Sequence, residues 1–138
     1  MSEQENVALI QRAFEAFGRG DVQAILDIST SDSEFYSPGP EVIPYAGIKK
    51  GRAEIQSYFD VLLATQKNAK LRIDQFVAQG DTVVAIGNYS AQVIATGKSM
   101  NSPVALVFHI RDGKIARHIV FGDTAALAAS YTAGAAAA

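Results

Sequence analysis

The residues best suited to acid–base work crowd one stretch, RDGKIARHIVFGDTAAL, from Arg111 to Leu127. It holds two arginines, one histidine and two aspartates in seventeen residues. An imidazole titrates near neutrality, a carboxylate can orient it, and a guanidinium can grip an anion. Arg117, His118 and Asp123 are therefore candidate participants in proton transfer. Tyr45 is a fourth, because it stands in a proline-bounded loop expected to cross the mouth of a pocket, and a buried phenol needs a polar partner. Each also has an architectural reading. Asp123 precedes Thr-Ala-Ala-Leu, the position of a helix N-cap. His109 and His118 fit strand positions on a wetted or partner-facing surface. Arg117 either reaches a cavity mouth and grips an anion or pairs with a carboxylate at the rim.

What other chemistry could sit here is narrowed by composition. Two histidines and no cysteine make an imidazole or thiolate metal centre an unexpected reading, and no cofactor is implied. Twelve basic and 14 acidic residues are scattered, with no basic run to neutralise phosphates, so nucleic acid is not an expected partner. The start, MSEQENVALIQRAF, is acidic and lacks a long apolar core, so it does not read as a secretion signal. No apolar run approaches the ~20 residues that cross a bilayer, and the expected location is the cytoplasm, without a membrane partner.

The candidate groups must be positioned by a chain of 138 residues, enough for one domain. Residues 1–131 are expected to form it, with 132–138 an Ala-rich tail that frays. SEQENVALIQRAFEAFGRGD reads as an amphipathic helix with Val7, Ile10, Phe14 and Phe17 on one face and Ser2 with Glu5 as a capping box. Asp21 caps a second, shorter helix. A short strand is expected around Glu34 to Ser37, and Pro38, Gly39, Pro40, Pro44 and Gly47 then oppose regular structure. A third helix begins near Gly51 with Ile55, Phe59 and Leu62 in a stripe and Tyr58 and Leu63 beside it. From Lys70 the period changes to two, giving four strands joined at Gly80-Asp81, Gly97-Lys98 and Asp112-Gly113, then a short helix from Asp123. The fold class is α+β, with helices packed on one face of a strongly curved, mainly antiparallel sheet.

Asp112-Gly113 favours a two-residue turn, which pairs Arg111 with Lys114 and Ile110 with Ile115. Plain alternation then puts Val104, Leu106, Phe108 and Ile110 on one face with Ile115, Arg117, Ile119 and Phe121. This bulkier set is expected beneath the helices, leaving both histidines outside. A β-bulge after Lys114 would exchange the faces of the last strand.

Three stretches, IQRAFEAFGRGDVQAI, PYAGIKKGRAEIQSYF and FHIRDGKIARHIVFGDTAALAA, resemble the nuclear transport factor 2-like superfamily, in its SnoaL-like and ketosteroid isomerase-related branch. The resemblance implies a cone-shaped α+β barrel with a deep apolar pocket, and a homodimer joined through the outer sheet face. It also implies where the isomerase groups would fall: the base carboxylate at Ser37, the oxyanion tyrosine at Ala13, a supporting tyrosine at Phe59 and the pocket aspartate at Leu106. None of the four carries the ionisable group, which removes that mechanism's electrostatic basis. The acidic residue of the related cyclases would fall near Ile119 and Val120, both apolar.

The expected pocket lining is therefore oily: Phe14, Phe17, Tyr36, Tyr45, Phe59, Leu63, Phe76, Leu106, Phe108 and Phe121, with Arg117 as its charged member. The expected function is capture of a small hydrophobic or aromatic molecule. The alternative is isomerase, cyclase or hydratase chemistry on a polycyclic or terpenoid-like substrate, without the ketosteroid isomerase carboxylates. A third role is protein interaction with the cone filled by its own side chains.

Overall fold

Ser2 starts the first helix with both halves of a capping box: its hydroxyl accepts from the Glu5 amide at 3.0 Å, and the Glu5 carboxylate accepts from the Ser2 amide at 3.1 Å. The computed structural model describes residues 1–133, so the expectation for the Ala-rich tail falls largely outside the described residues. Helix α1 spans Glu3–Gly18, and α2 spans Val22–Asp27. Between them Gly20 adopts φ +69°, and Asp21 accepts from the Ala24 amide at 3.1 Å to cap α2.

Strand β1 covers Ser29–Ser37, β2 Gly47–Lys50, helix α3 Gly51–Thr65, β3 Gln66–Gln79, β4 Thr82–Val93, β5 Ser99–Arg111, β6 Lys114–Gly122 and α4 Thr124–Ser130. Two differences from expectation share a cause, strand pairing distant in sequence. β1 begins at Ser29 rather than Glu34, and the loop beyond the prolines closes into β2, because β2 lies antiparallel on β1 with Tyr36 opposite Ile48. β3 starts at Gln66, directly on the end of α3, rather than at Lys70.

The six strands form one sheet in the order β2-β1-β6-β5-β4-β3, antiparallel except where β1 runs parallel to β6. Asp112 and Gly113 turn β5 into β6 with φ of +53° and +72°, the positive pair that a twisted hairpin requires. Helix α1 packs on β3 and β4, and α3 on β1. Leu9, Ile10, Ile55, Val83 and Ile115 are all fully buried between these layers, each stabilising the fold by roughly 1.5–3 kcal/mol. On α1 the buried stripe is Leu9, Ile10, Ala13 and Ala16, while Val7, Phe14 and Phe17 flank it half-buried.

Two of the bulges between strands bear on the curvature and on the site. On β3, Ile73 faces Gly87 and Gln75 faces Ile86, leaving Asp74 without an opposite number. There the Arg72 carbonyl oxygen would lie 1.9 Å from a Cβ on residue 87, so only glycine lets the strands approach. The second bulge is on β6 and decides what the cone contains.

Candidate pocket at the centre of the cone

Ile110 pairs with Ile115 and Arg111 with Lys114, as the turn requires, but His109 then pairs with Arg117. Ala116 is the surplus residue. The neighbouring parallel strand is irregular at the same level: Ser29 pairs with Ile115, and the next pair is Glu34 with Arg117. Beyond Ala116 each β6 side chain therefore takes the face opposite to plain alternation. His118 comes opposite Phe108 and Val120 opposite Leu106 on the inner face. Arg117, Ile119 and Phe121 point outward.

This corrects several expected pocket residues. Arg117 is exposed and Phe121 is 51% exposed, because the bulge turns both away from the helices. Tyr36 pairs with Ile119 on the outer face, while its neighbour Phe35 pairs with His118. Leu63, 40% exposed, lies off the buried stripe of α3. Phe76 faces inward but packs against Phe14, ring centroids 6.1 Å apart, and does not line the cavity. His109 stays outside, its Nδ1 3.2 Å from the Thr82 hydroxyl.

The cavity has a volume of about 130 Å³. Phe14, Phe17 and Phe59 line it from the helices, Leu106 and Phe108 from the sheet, and Tyr45 from the proline-bounded loop. Ala13, Ser37, His118 and Asp123 also reach it. Sequence reasoning missed Phe35, Tyr58 and Ser102 in the wall, which Tyr89 also lines. Alternation from Ser37 would have found Phe35, and the α3 stripe at Phe59 would have found Tyr58. The rings contact edge to face, Phe35 to Phe59 at 5.9 Å and Tyr58 to Phe59 at 4.9 Å, the arrangement that the ring quadrupoles favour.

One side of the wall carries phenols joined through Gln66, a buried amide at the start of β3. Its Nε2 donates to Tyr45 Oη at 2.9 Å and to Tyr131 Oη at 3.0 Å, and its Oε1 accepts from Tyr89 Oη. The Thr65 hydroxyl donates to the Val61 carbonyl at 2.8 Å, so the contact between Tyr131 and Thr65, also 2.8 Å, is donated by the phenol. The protons of Tyr89 and Tyr131 are thus committed. Tyr45 accepts from Gln66, and its own O–H has no acceptor among the described residues. Burial holds the phenols of Tyr45, Tyr58 and Tyr89 above the ordinary tyrosine range, with neighbouring phenols adding to the effect, so they act as donors and not as phenolates.

On the sheet wall, His118 lies flat against Phe108, centroids 4.2 Å apart and planes 10° apart, with Phe35 edge-on at 5.1 Å. Its Nδ1 is 3.2 Å from the Val107 carbonyl oxygen. A carbonyl can only accept, so Nδ1 carries the hydrogen and Nε2 keeps its lone pair. Burial pushes the imidazole pKa down to about 4, partly opposed by the Val107 hydrogen bond, and the ring is neutral at pH 7.

Asp123 is spent on architecture. Its carboxylate accepts from the Ala126 amide at 2.9 Å, capping α4, and its own amide donates to Ser102 Oγ at 2.8 Å. Among the described residues it is the one charged side chain lining the cavity. No three histidine, aspartate or glutamate side chains converge on a metal-sized site among the described residues, and there no helix is long and apolar enough to cross a membrane.

The family model of the SnoaL-like domain matches residues 10–118. Among solved structures, a nuclear transport factor 2-like protein from Burkholderia xenovorans LB400 is 29% identical, with a TM-score of 0.84 over 96% of this chain and 99% of that one. Another from Burkholderia thailandensis E264 is 26% identical, with a TM-score of 0.83 over 96% and 99% of the two chains. TerC, co-crystallised with polyporic acid, shares the fold at 24% identity, with a TM-score of 0.83 over 92% of this chain and 98% of that one. No curated protein matches the sequence.

Proposed function

The chain belongs to the SnoaL-like domain family, and from that premise we propose that its cone captures a compact, largely apolar aromatic molecule bearing at least one oxygen. The observation that carries this reading is an aromatic cavity with an uncommitted Tyr45 hydroxyl in its wall. The volume, about 130 Å³, is near the ~150 Å³ apolar cavity that admits benzene and below the ~300 Å³ at which drug-sized sites begin. A ligand of one or two rings suits it better than a polycyclic one. Ring-lined walls favour such a molecule by area burial and edge-to-face contact.

A second reading, proton-transfer chemistry of isomerase, cyclase or hydratase type, draws support from His118, a neutral base on the wall where the isomerase-like positions Ala13, Ser37, Phe59 and Leu106 offer none.

The working unit is proposed to be a homodimer formed through the outer sheet face. Register pairs run Ile48, Tyr36, Ile119, Val107, Val84 and Val77 in one apolar row across all six strands. A row of that composition on a solvated face is what a second subunit would cover.

Binding is tested by titrating the purified protein with 2-methoxynaphthalene. Ala13→Leu, which places a larger side chain in the cavity, is expected to abolish binding, whereas Val77→Thr on the outer face is expected to leave it unchanged. Equal binding by both variants would place the ligand elsewhere and end the reading.

A further inference from the structure

The geometry points to His118 Nε2 as a proton acceptor matched to a neutral hydroxyl of the ligand, a phenol or enol, with Tyr45 donating to a second ligand oxygen. This rests on the proposed capture of an aromatic molecule and adds the polar chemistry that selects it. Three observations carry it.

First, the bulge at Ala116 delivers the imidazole to the cavity wall, and contacts with Phe108 and Phe35 fix its plane. Second, the Nδ1 hydrogen is held by the Val107 carbonyl, which leaves the acceptor nitrogen as the ring's remaining polar atom, without a partner among the described residues. Third, Thr65 and Gln66 take the protons of Tyr131 and Tyr89 and leave that of Tyr45 unspent, so the wall offers a phenol donor beside the imidazole acceptor.

Charge narrows the class further. Among the described residues no lysine or arginine lines the cavity, and the carboxylate there, that of Asp123, caps α4. An ionised carboxylic acid would enter without a counter-ion and lose its hydration, whereas a neutral hydroxyl gives its hydrogen to Nε2 and forfeits little. The pairing is a hydrogen bond in the resting complex. If the hydroxyl ionises, its proton passes to Nε2 and the oxygen keeps the electron pair, with no co-reactant required.

The test compares three probes of one shape: 2-naphthol, its ether 2-methoxynaphthalene, and 2-naphthoate. The chain has no tryptophan, so naphthalene emission is read without interference. The expected result is that 2-naphthol binds about tenfold tighter than the ether, the increment of one hydrogen bond, and that 2-naphthoate binds weakest. 2-Naphthol becomes a strong acid on excitation, so a bound molecule facing Nε2 is expected to emit as naphtholate. In His118→Phe the preference over the ether and the naphtholate emission should both vanish, whereas Val77→Thr, on the outer face, should keep both. His118→Gln, which presents an amide oxygen, should recover part of the preference if the phenylalanine variant folds poorly. Equal affinity for 2-naphthol and the ether in the parent protein, with both still competing for the cavity, overturns the role of His118 and leaves aromatic capture standing. Binding of neither overturns both.

Discussion

The two faces of the sheet are made from much the same residues and do opposite things. The inner face of β4, β5 and β6 presents Val83, Ala85, Leu106, Phe108 and His118, all buried. The outer face of the same strands presents Val84, Ile86, Val107, Ile119 and Phe121, all partly or largely exposed. Apolar composition therefore does not separate core from surface here. What separates them is where helices lie and which polar group each face contains. The inner face holds an imidazole whose one hydrogen is satisfied by backbone, and the outer face holds a guanidinium in water.

Changes on the inner side are accordingly expected to be costly and changes on the outer side cheap. The largest effect is expected at Gly87. Its alanine variant places a methyl group on the Arg72 carbonyl, where backbone rather than a flexible side chain must move. A loss of about 4 kcal/mol or more is expected in urea unfolding, and a loss below ~1 kcal/mol would show that the sheet bends elsewhere.

The next effect belongs to His118. Its folded pKa lies near 4 against 6.5 for the free side chain, so between those values the unfolded chain binds the extra proton. Stability is then fully present above pH 6.5 and falls as pH drops towards 4, by about 3 kcal/mol across the window. Melting the parent and His118→Phe at pH 7 and pH 4.5 reads the difference. Parallel losses in the two proteins would mean that the imidazole is solvated.

The smallest effect is expected at Ile119. Replacement by threonine should change the stability of the single subunit by no more than about 0.5 kcal/mol yet weaken self-association measured by sedimentation at several concentrations. A large loss of subunit stability there would erase the distinction between the faces.

How much of this could be read in the sequence depended on how local the cause was. The Ser2–Glu5 capping box, the Asp21 and Asp123 caps and the Asp112-Gly113 turn each involve residues within four positions, and each stands where the local chemistry puts it. The α+β class was legible from the helix and strand periods, and the cone shape was what the resemblance of the three quoted stretches implied. β2 was not, since its existence depends on pairing with β1 and not on its own four residues. The site split along the same line. Phe14, Phe17, Phe59, Leu106 and Phe108 were reachable from helix and strand periods that hold without interruption, and Tyr45 from the prolines that bound its loop. Arg117, Phe121 and His118 were not, because their phase is set by a surplus residue where β6 meets both β5 and a parallel β1. The one warning available beforehand was physical: plain alternation put a guanidinium in an oily wall with no carboxylate named to meet it.

That warning gives Arg117 a task in assembly. Paired without the bulge, β6 would set its guanidinium opposite Phe108, in the place His118 now takes, and strand a full charge among rings. Such a state costs several kcal/mol and cannot compete. A residue outside the cavity wall thus disfavours the unbulged phase and leaves the last strand in the one that sets an imidazole in the chamber.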